Sequence, residues 1–329
     1  MPAFNAEAYI KDSIESIINQ SYQDFELIII NDGSTDDTKK IINSFNDSRI
    51  RLYSSEINMG IVYSLNKAIS MAKGEYLARM DSDDIANHDR LLLQLDYLKS
   101  NGLDICGTSI STFGSKMKKI YYPKTPEDVS FFSIFGSPVA HPTVFGYTKL
   151  FKKFLYNNVP AEDFDLWSRL LLEGFKIGNM ENPLISYRVH SNQITRDLTK
   201  IIESSILISS RYIESYISND SVRIELQKYK CFMKGNYERD EIYSFANEII
   251  LIAKEHQVSQ AIQCRVINIM FSRSRTYNIF TLISYIKAIK ASGVNLFRFI
   301  DLRLSFLFIF SIKKNSKIVF FLMRILKKI

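Results

Sequence analysis

Three short apolar runs in the first 80 residues each stop at a polar turn, and each alternates with a helix-patterned segment. Phe25-Glu26-Leu27-Ile28-Ile29-Ile30 is β-branched and hardly alternates with polar residues, which marks a strand covered on both faces. Residues 49–54 read as a second strand and residues 75–80 as a third. Residues 5–20 carry Ile10, Ile14, Ile17 and Ile18 at helical spacing; residues 38–45, 60–72 and 90–100 continue the alternation. Strand, turn and helix in repeated order predict an α/β fold whose parallel sheet has helices on both faces. Such sheets bind ligands beyond the carboxyl ends of their strands. Two acidic clusters fall there: Asn31-Asp32-Gly33-Ser34-Thr35-Asp36-Asp37 and Asp81-Ser82-Asp83-Asp84.

Past residue 104 the pattern loosens. Residues 104–113 and 119–122 read as strands, 166–173 as a helix and 183–189 as extended chain. From Lys200 onward the chain reads as helix over 201–217, 224–233 and 238–254, followed by a basic, aromatic end. Charge shifts at about the same place. Residues 201–329 hold 20 Lys+Arg against 10 Asp+Glu, whereas residues 1–200 hold 22 against 25. The expected organisation is a catalytic domain over 1–198 and a helical, basic region over 199–329.

Three acids within four residues repel one another and need a countercharge. A divalent cation with oxygen ligands supplies it, and Mg²⁺ or Mn²⁺ commonly bridges carboxylates to a substrate phosphate. The plainer reading is a helix N-cap at Asp83 or Asp84, for which one acid suffices. Asp32 suits a nucleobase N–H or ribose hydroxyl, and equally an Asx-turn closing its strand. Glu162-Asp163-Phe164-Asp165 is either a reactive group or a helix start favoured by the macrodipole. Trp167 reads as core or as a sugar platform, Arg79 as the partner of Asp81 or of a phosphate, and Cys106 as a small core residue. His141 reads as a shaper of the acceptor side or as structural, and His88 and His256 as surface residues.

The ordered set of segments is more specific than any one of them. Pro2-Ala3-Phe4-Asn5-Ala6-Glu7, Gln20-Ser21-Tyr22-Gln23-Asp24-Phe25-Glu26 and Asn31-Asp32-Gly33-Ser34-Thr35-Asp36 resemble the opening of the family 2 glycosyltransferases. Asn58-Met59-Gly60, Asn66, Ala72-Lys73-Gly74-Glu75-Tyr76, Met80-Asp81-Ser82-Asp83-Asp84, His141-Pro142-Thr143, Glu162-Asp163-Phe164-Asp165-Leu166-Trp167 and Tyr187-Arg188-Val189-His190 follow in the family's order. The resemblance spans about residues 1–195. It implies a GT-A fold, a mixed sheet flanked by helices, that binds a nucleotide-sugar donor and transfers the sugar with inversion. It implies that Asp32, Ala3, Phe4, Glu7 and Asp81 meet the nucleotide sugar. Asp83, Asp81 and His190 would hold Mg²⁺ or Mn²⁺, and Asp163 would be the catalytic base. The implied partners are a nucleotide-sugar donor, of UDP type, and a saccharide or lipid-linked acceptor in cell-surface polysaccharide synthesis.

In the family a run of apolar residues precedes the Pro-x-x-Asn segment and forms a central strand, whereas this sequence opens at Met1-Pro2. The expectation is an N-terminally shortened chain, which makes a catalytically inactive nucleotide-sugar-binding or scaffold protein the competing reading. A nucleotidyltransferase would also use acids and a metal, but the Gly- and Lys-rich phosphate loop expected of one is missing. No zinc spacing or nucleic-acid motif occurs, and three dispersed cysteines suit a reducing compartment. No run of about 18 apolar residues is present to span a bilayer. The apolar runs 304–312 and 318–322, broken by Lys313, Lys314 and Lys317, fit a peripheral anchor at an anionic surface. They fit a packed helical layer or an oligomer contact as well. The expected location is cytoplasmic, at the inner face of the cell membrane, with no nucleic-acid partner.

Overall fold

The Ile-rich run at 27–32 forms a strand with every residue buried, and the elements before and after it wrap onto its two edges and faces. The computed structural model describes residues 1–114, 117–190, 198–217, 220, 223–224, 239–271 and 279–293. The chain divides into two compact units, Met1–Ile208 and Ser209–Ile329.

The first unit opens with a short parallel sheet. Strand β1 (Pro2–Ala3) pairs with β2 (Leu27–Asp32), placing Pro2 opposite Ile30 and Ala3 opposite Asn31. β2 pairs in turn with β3 (Ile50–Ser55), so the order is β1-β2-β3. Helix α1 (Ile10–Ile18) and helix α2 (Thr38–Asn43) make the crossovers. Ile10, Ile14 and Ile17 of α1 pack with Ile29 and Ile42 in one core. α1 begins later than the apolar spacing suggests, because residues 5–8 are drawn into a loop pinned to residues 34–38.

Helix α3 (Ile61–Met71) leads to β4 (Tyr76–Ala78), and here the structure departs from one continuous parallel sheet. β4 pairs antiparallel with β8 (Phe145–Tyr147). It thereby joins a second, mixed sheet with β5 (Ile85–Ala86), β6 (Ile105–Gly114) and β9 (Ile177–Val189), in the order β4-β8-β6-β9-β5. β7 (Lys118–Ile120) hangs on β6, and the long β6–β9 pair is parallel. The outcome is the mixed sheet of the expected fold class. The connecting helices are α4 (Arg90–Ser100), α5 (Pro126–Phe132), α6 (Thr148–Lys153) and α7 (Glu162–Leu172). α5, α6 and β8 are too short for a periodic signal. α7 starts four residues before its predicted start at 166, which puts Glu162 and Asp163 in its first turn.

Helix α8 (Leu198–Tyr216) runs into the second unit. There α9 (Arg239–Glu255), α10 (Gln260–Phe271) and α11 (Ile279–Ala291) pack on one another around Ile249, Ile267, Phe271 and Tyr285. Most of the helix predicted over 224–233, and the apolar runs 304–312 and 318–322, lie outside the described residues. No described helix is long and apolar enough to cross a membrane.

Candidate active site

β4 delivers the chain into a buried Arg79-Met80 step and then into the acids. The Arg79 guanidinium grips Asp81 with two contacts, Nη1 to Oδ2 at 2.6 Å and Nη2 to Oδ1 at 2.5 Å. This bidentate geometry is the strongest form of a charge-assisted pair. Burial pushes the Asp81 carboxyl up; Arg79 opposes this, and the charge of Asp83 adds to it. Asp83 Oδ2 lies 2.9 Å from His190 Nε2 at the end of β9. Asp84 is fully buried. Its Oδ1 accepts the Arg188 N–H at 2.9 Å, while its Oδ2 has no hydrogen-bond partner. Burial and then the charge of Asp81 push the Asp84 carboxyl up to about 8.

Ligand oxygens of Asp81, Asp83 and Asp84 all lie within 4.8 Å of one another. A hard divalent cation takes such an all-oxygen donor set. The orphaned Asp84 Oδ2 is the decisive detail, since a buried polar atom without a partner costs roughly 1–3 kcal/mol. A cation at this point satisfies it, so the donor set fits the metal that the sequence implied. A helix cap does not account for the cluster: Asp89 precedes α4, and none of the three acids does.

α1 fixes this loop from behind. Ser13 is fully buried, and its hydroxyl lies 2.7 Å from the carbonyl oxygen of Asp84 and 2.9 Å from that of Ser82. Arg188 adds a second brace, with Nε donating to the Asp83 carbonyl at 2.8 Å and the guanidinium stacked over Tyr9 and Phe113. Sequence reasoning assigned no role to Ser13 or Arg188. The only signal for Arg188 was its place beside His190.

The other strand end is tied down differently. Asp32 Oδ1 accepts the Met59 N–H and Oδ2 the Gly60 N–H, each at 2.8 Å. The acid therefore staples β2 to the start of α3, and each oxygen retains a lone pair for a ligand. Gly33, at φ +68°, lies so close to the Ile57–Asn58 peptide that a Cβ would sit 2.4 Å from the Ile57 carbonyl carbon. Ala3 is buried beside Asn31, and Phe4 is 44% exposed. Glu7 is engaged: its Oε2 accepts the Asp37 N–H at 2.9 Å while its own N–H donates to Asp36 Oδ2 at 3.1 Å.

The start of α7 carries the third group. Asp165 is spent on structure, accepting from Arg169 Nε and Asn157 Nδ2 at 2.9 Å each. Asp163 is half-buried, and its Oδ2 lies 3.2 Å from the Ser137 hydroxyl. Burial raises its carboxyl; the Phe164 N–H, Ser137 and the Arg79 charge hold it back. The same Arg79 charge acts on Glu162, so the acid loop and the start of α7 lie within electrostatic reach of one buried cation. Trp167 is fully buried beneath His141 and Tyr156, which makes it core rather than a sugar platform. Cys106 is likewise core, while His88 is exposed and paired with Asp89.

Glu162 gives a pH signature. Burial, reinforced by Asp163, raises its carboxyl from 4.5 to about 7. Between those values the folded chain holds a proton that the unfolded chain has released, so stability falls as pH rises through this window. Glu162→Gln removes a penalty on the order of 3 kcal/mol above pH 7. Thermal melts are expected to show the variant more stable than wild type at pH 8 and equal to it near pH 4.5. Parallel melting curves at both pH values would contradict this burial.

Residues 1–167 match the family described as Glycosyl transferase family 2, which is half of the chain. The chain belongs to glycosyltransferase family 2. It is 34% identical over 209 residues to an uncharacterized glycosyltransferase of Haemophilus influenzae, covering 58% of this chain and 64% of that one. It is 34% identical over 201 residues to the O-antigen biosynthesis glycosyltransferase WbnJ of Escherichia coli, covering 58% of this chain and 78% of that one. Among solved structures, residues 1–349 of S. aureus TarS, crystallised with UDP-GlcNAc, superpose with a TM-score of 0.58 over 90% of each chain at 16% identity. That likeness shows the GT-A-type fold: a mixed sheet flanked by helices, followed by a helical region. Both strand-end acidic clusters and the Glu162-Asp163 pair lie within the matched family region; His190 lies beyond it.

Proposed function

We propose that this glycosyltransferase moves a sugar with inversion from a nucleotide-sugar donor, UDP-linked, to a saccharide or lipid-linked acceptor of a cell-surface polysaccharide. The observation that carries the reading is the pairing of two unlike carboxylate groups around one buried guanidinium. Asp81, Asp83 and Asp84 form an all-oxygen cluster with an unsatisfied oxygen, and Asp163 stands apart on another element. WbnJ, named for O-antigen biosynthesis, favours a surface polysaccharide, and the UDP-GlcNAc bound by TarS favours a UDP-linked donor.

In this reading Asp83 and Asp84, with Asp81, would hold Mg²⁺ or Mn²⁺, and His190 orients Asp83. An ion held there would supply positive charge against the departing diphosphate. Asp32 and the Phe4 ring flank the nucleoside, where Asp32 offers its remaining lone pairs to an N–H or hydroxyl. Asp163 accepts the proton of the acceptor hydroxyl as that oxygen bonds to the anomeric carbon. The bond from that carbon to the diphosphate oxygen breaks, and the nucleoside diphosphate departs. The Phe164 N–H in the first turn of α7 and the Ser137 hydroxyl oppose the rise that burial imposes on the Asp163 carboxyl. The basic C-terminal region brings the enzyme to the inner membrane face, where a lipid-linked acceptor would lie.

A screen of UDP-, GDP-, dTDP- and CMP-sugars with Mg²⁺ or Mn²⁺, with and without EDTA, tests this. The expected result is slow, metal-dependent release of UDP from one UDP-sugar in the absence of acceptor. Binding of UDP without any turnover, alone or with saccharide acceptors, would instead identify a donor-binding scaffold.

A further inference from the structure

The start of α7 is braced by a group of side chains that the chemistry above leaves idle. His141 opens a 3-10 turn (His141–Thr143) on the loop before β8, and its side chain is only 12% exposed. Its Nε2 lies 2.9 Å from the Tyr156 hydroxyl, and its Nδ1 lies 3.8 Å from Glu162 Oε1. Tyr156 cannot drift. Its N–H donates to Asn66 Oδ1 and its carbonyl accepts from Asn66 Nδ2, both at 2.9 Å. Asn66 belongs to α3, whose first turn is in turn held by Asp32. Trp167 meets the His141 ring edge-on, with centroids 6.2 Å apart.

The backbone at the same place is strained. Ala161, immediately before Glu162, has φ 62° and ψ 45°. A left-handed residue other than glycine costs roughly 1–2 kcal/mol. Such a conformation persists only where the surroundings over-determine it. It turns the chain so that Glu162 and Asp163 begin the helix beside the His141 ring.

The hydrogen-bond inventory fixes which way the brace points. A neutral imidazole has one N–H, and burial followed by the Arg79 charge keeps His141 neutral. Above pH about 7, where Glu162 is ionised and can only accept, the ring proton belongs on Nδ1 and Nε2 takes the proton of the Tyr156 hydroxyl. The 3.8 Å gap is longer than a hydrogen bond, and contacts of this kind commonly tighten when substrate closes the site.

We propose that His141, held in this tautomer by Tyr156, is the positioning residue for the Glu162–Asp163 pair. It touches neither donor nor acceptor and acts through Glu162 on the placement of the base. The proposal rests on the reading of Asp163 as that base, and its test separates the two.

His141→Ala is expected to lower kcat for nucleotide release from the UDP-sugar found in the screen by about 100-fold, the effect of roughly 1 Å of misplacement. The donor KM should stay within about twofold, since the lost interaction serves the transition state only. His141→Asn keeps an N–H near the Nδ1 position and should recover about tenfold of that loss, and Tyr156→Phe should fall between them. Wild-type kcat in His141→Ala, or a loss confined to KM, overturns the proposal. A crystal structure of His141→Ala, or of His141→Asn if the former does not fold, gives a readout independent of turnover. The Asp163 carboxylate is expected to move by about 1 Å or more; a carboxylate left in place overturns the positioning role even if the kinetics change. If wild type and Asp163→Asn release nucleotide equally, it is the assignment of the base that fails, and the crystal structure still decides what His141 holds.

Discussion

Asp163→Asn should lower sugar transfer by about 10²–10⁴-fold, the usual contribution of a positioned general base, while the affinity for UDP stays nearly unchanged. The substitution is close to isosteric. The asparagine oxygen can still accept from the Ser137 hydroxyl, which lies 3.2 Å from the carboxylate in the wild type, so the local geometry has no reason to collapse. What disappears is basicity. Burial already raises the Asp163 carboxyl, so removing its charge relieves desolvation and offsets the lost attraction to the N-terminus of α7. Stability should therefore change little, and the loss should appear in kcat. Steady-state transfer assays set against calorimetric UDP binding separate the two quantities. Transfer at wild-type rate by this variant would remove Asp163 as the base. Asp165 would not then inherit the role, because both Arg169 and Asn157 already occupy it.

How much of this was legible beforehand depends on the range of the contacts involved. The β2 run, α1 and α4 were readable because their signals are local: an unbroken β-branched stretch, isoleucines at helical spacing, a helix from Arg90 to Ser100. The acids 81, 83 and 84 were readable as a group because four consecutive positions bring them together. The partner of β4 was not, since β4 finds β8 across some 70 residues of chain, and β8 has only three residues. Side chains that make the site rigid were hidden for the same reason. Ser13 meets the carbonyl of Asp84 from 71 residues away, Asn66 meets Tyr156 from 90, and Arg188 meets Asp83 from 105. Asp32 shows the limit in another way. Its position at a strand end was evident, but its bonds to the amides of Met59 and Gly60 belong to neither of the roles the sequence suggested.

Arg79→Met should convert the acid loop into a site whose stability depends on metal. Arg79 is 6% exposed and is the only cation that grips Asp81 among the described residues. Removing one partner of a buried pair typically costs about 3–5 kcal/mol, because the surviving charge is left without compensation. Here three carboxylates would face one another with the orphaned Asp84 Oδ2 still unsatisfied. A divalent cation supplies the missing countercharge, and binding to the folded chain alone stabilises it by mass action. Mn²⁺ should therefore raise the Tm of Arg79→Met by more than it raises that of wild type, and EDTA should abolish the difference. Arg79→Lys, which keeps a point charge but loses the two-pronged grip, should lie between them and remains measurable if the methionine variant does not fold. An equal response to Mn²⁺ in all three proteins would mean that the cluster is not where the ion binds. A response that grows as the guanidinium is weakened would show arginine and cation sharing one electrostatic task at the end of β4.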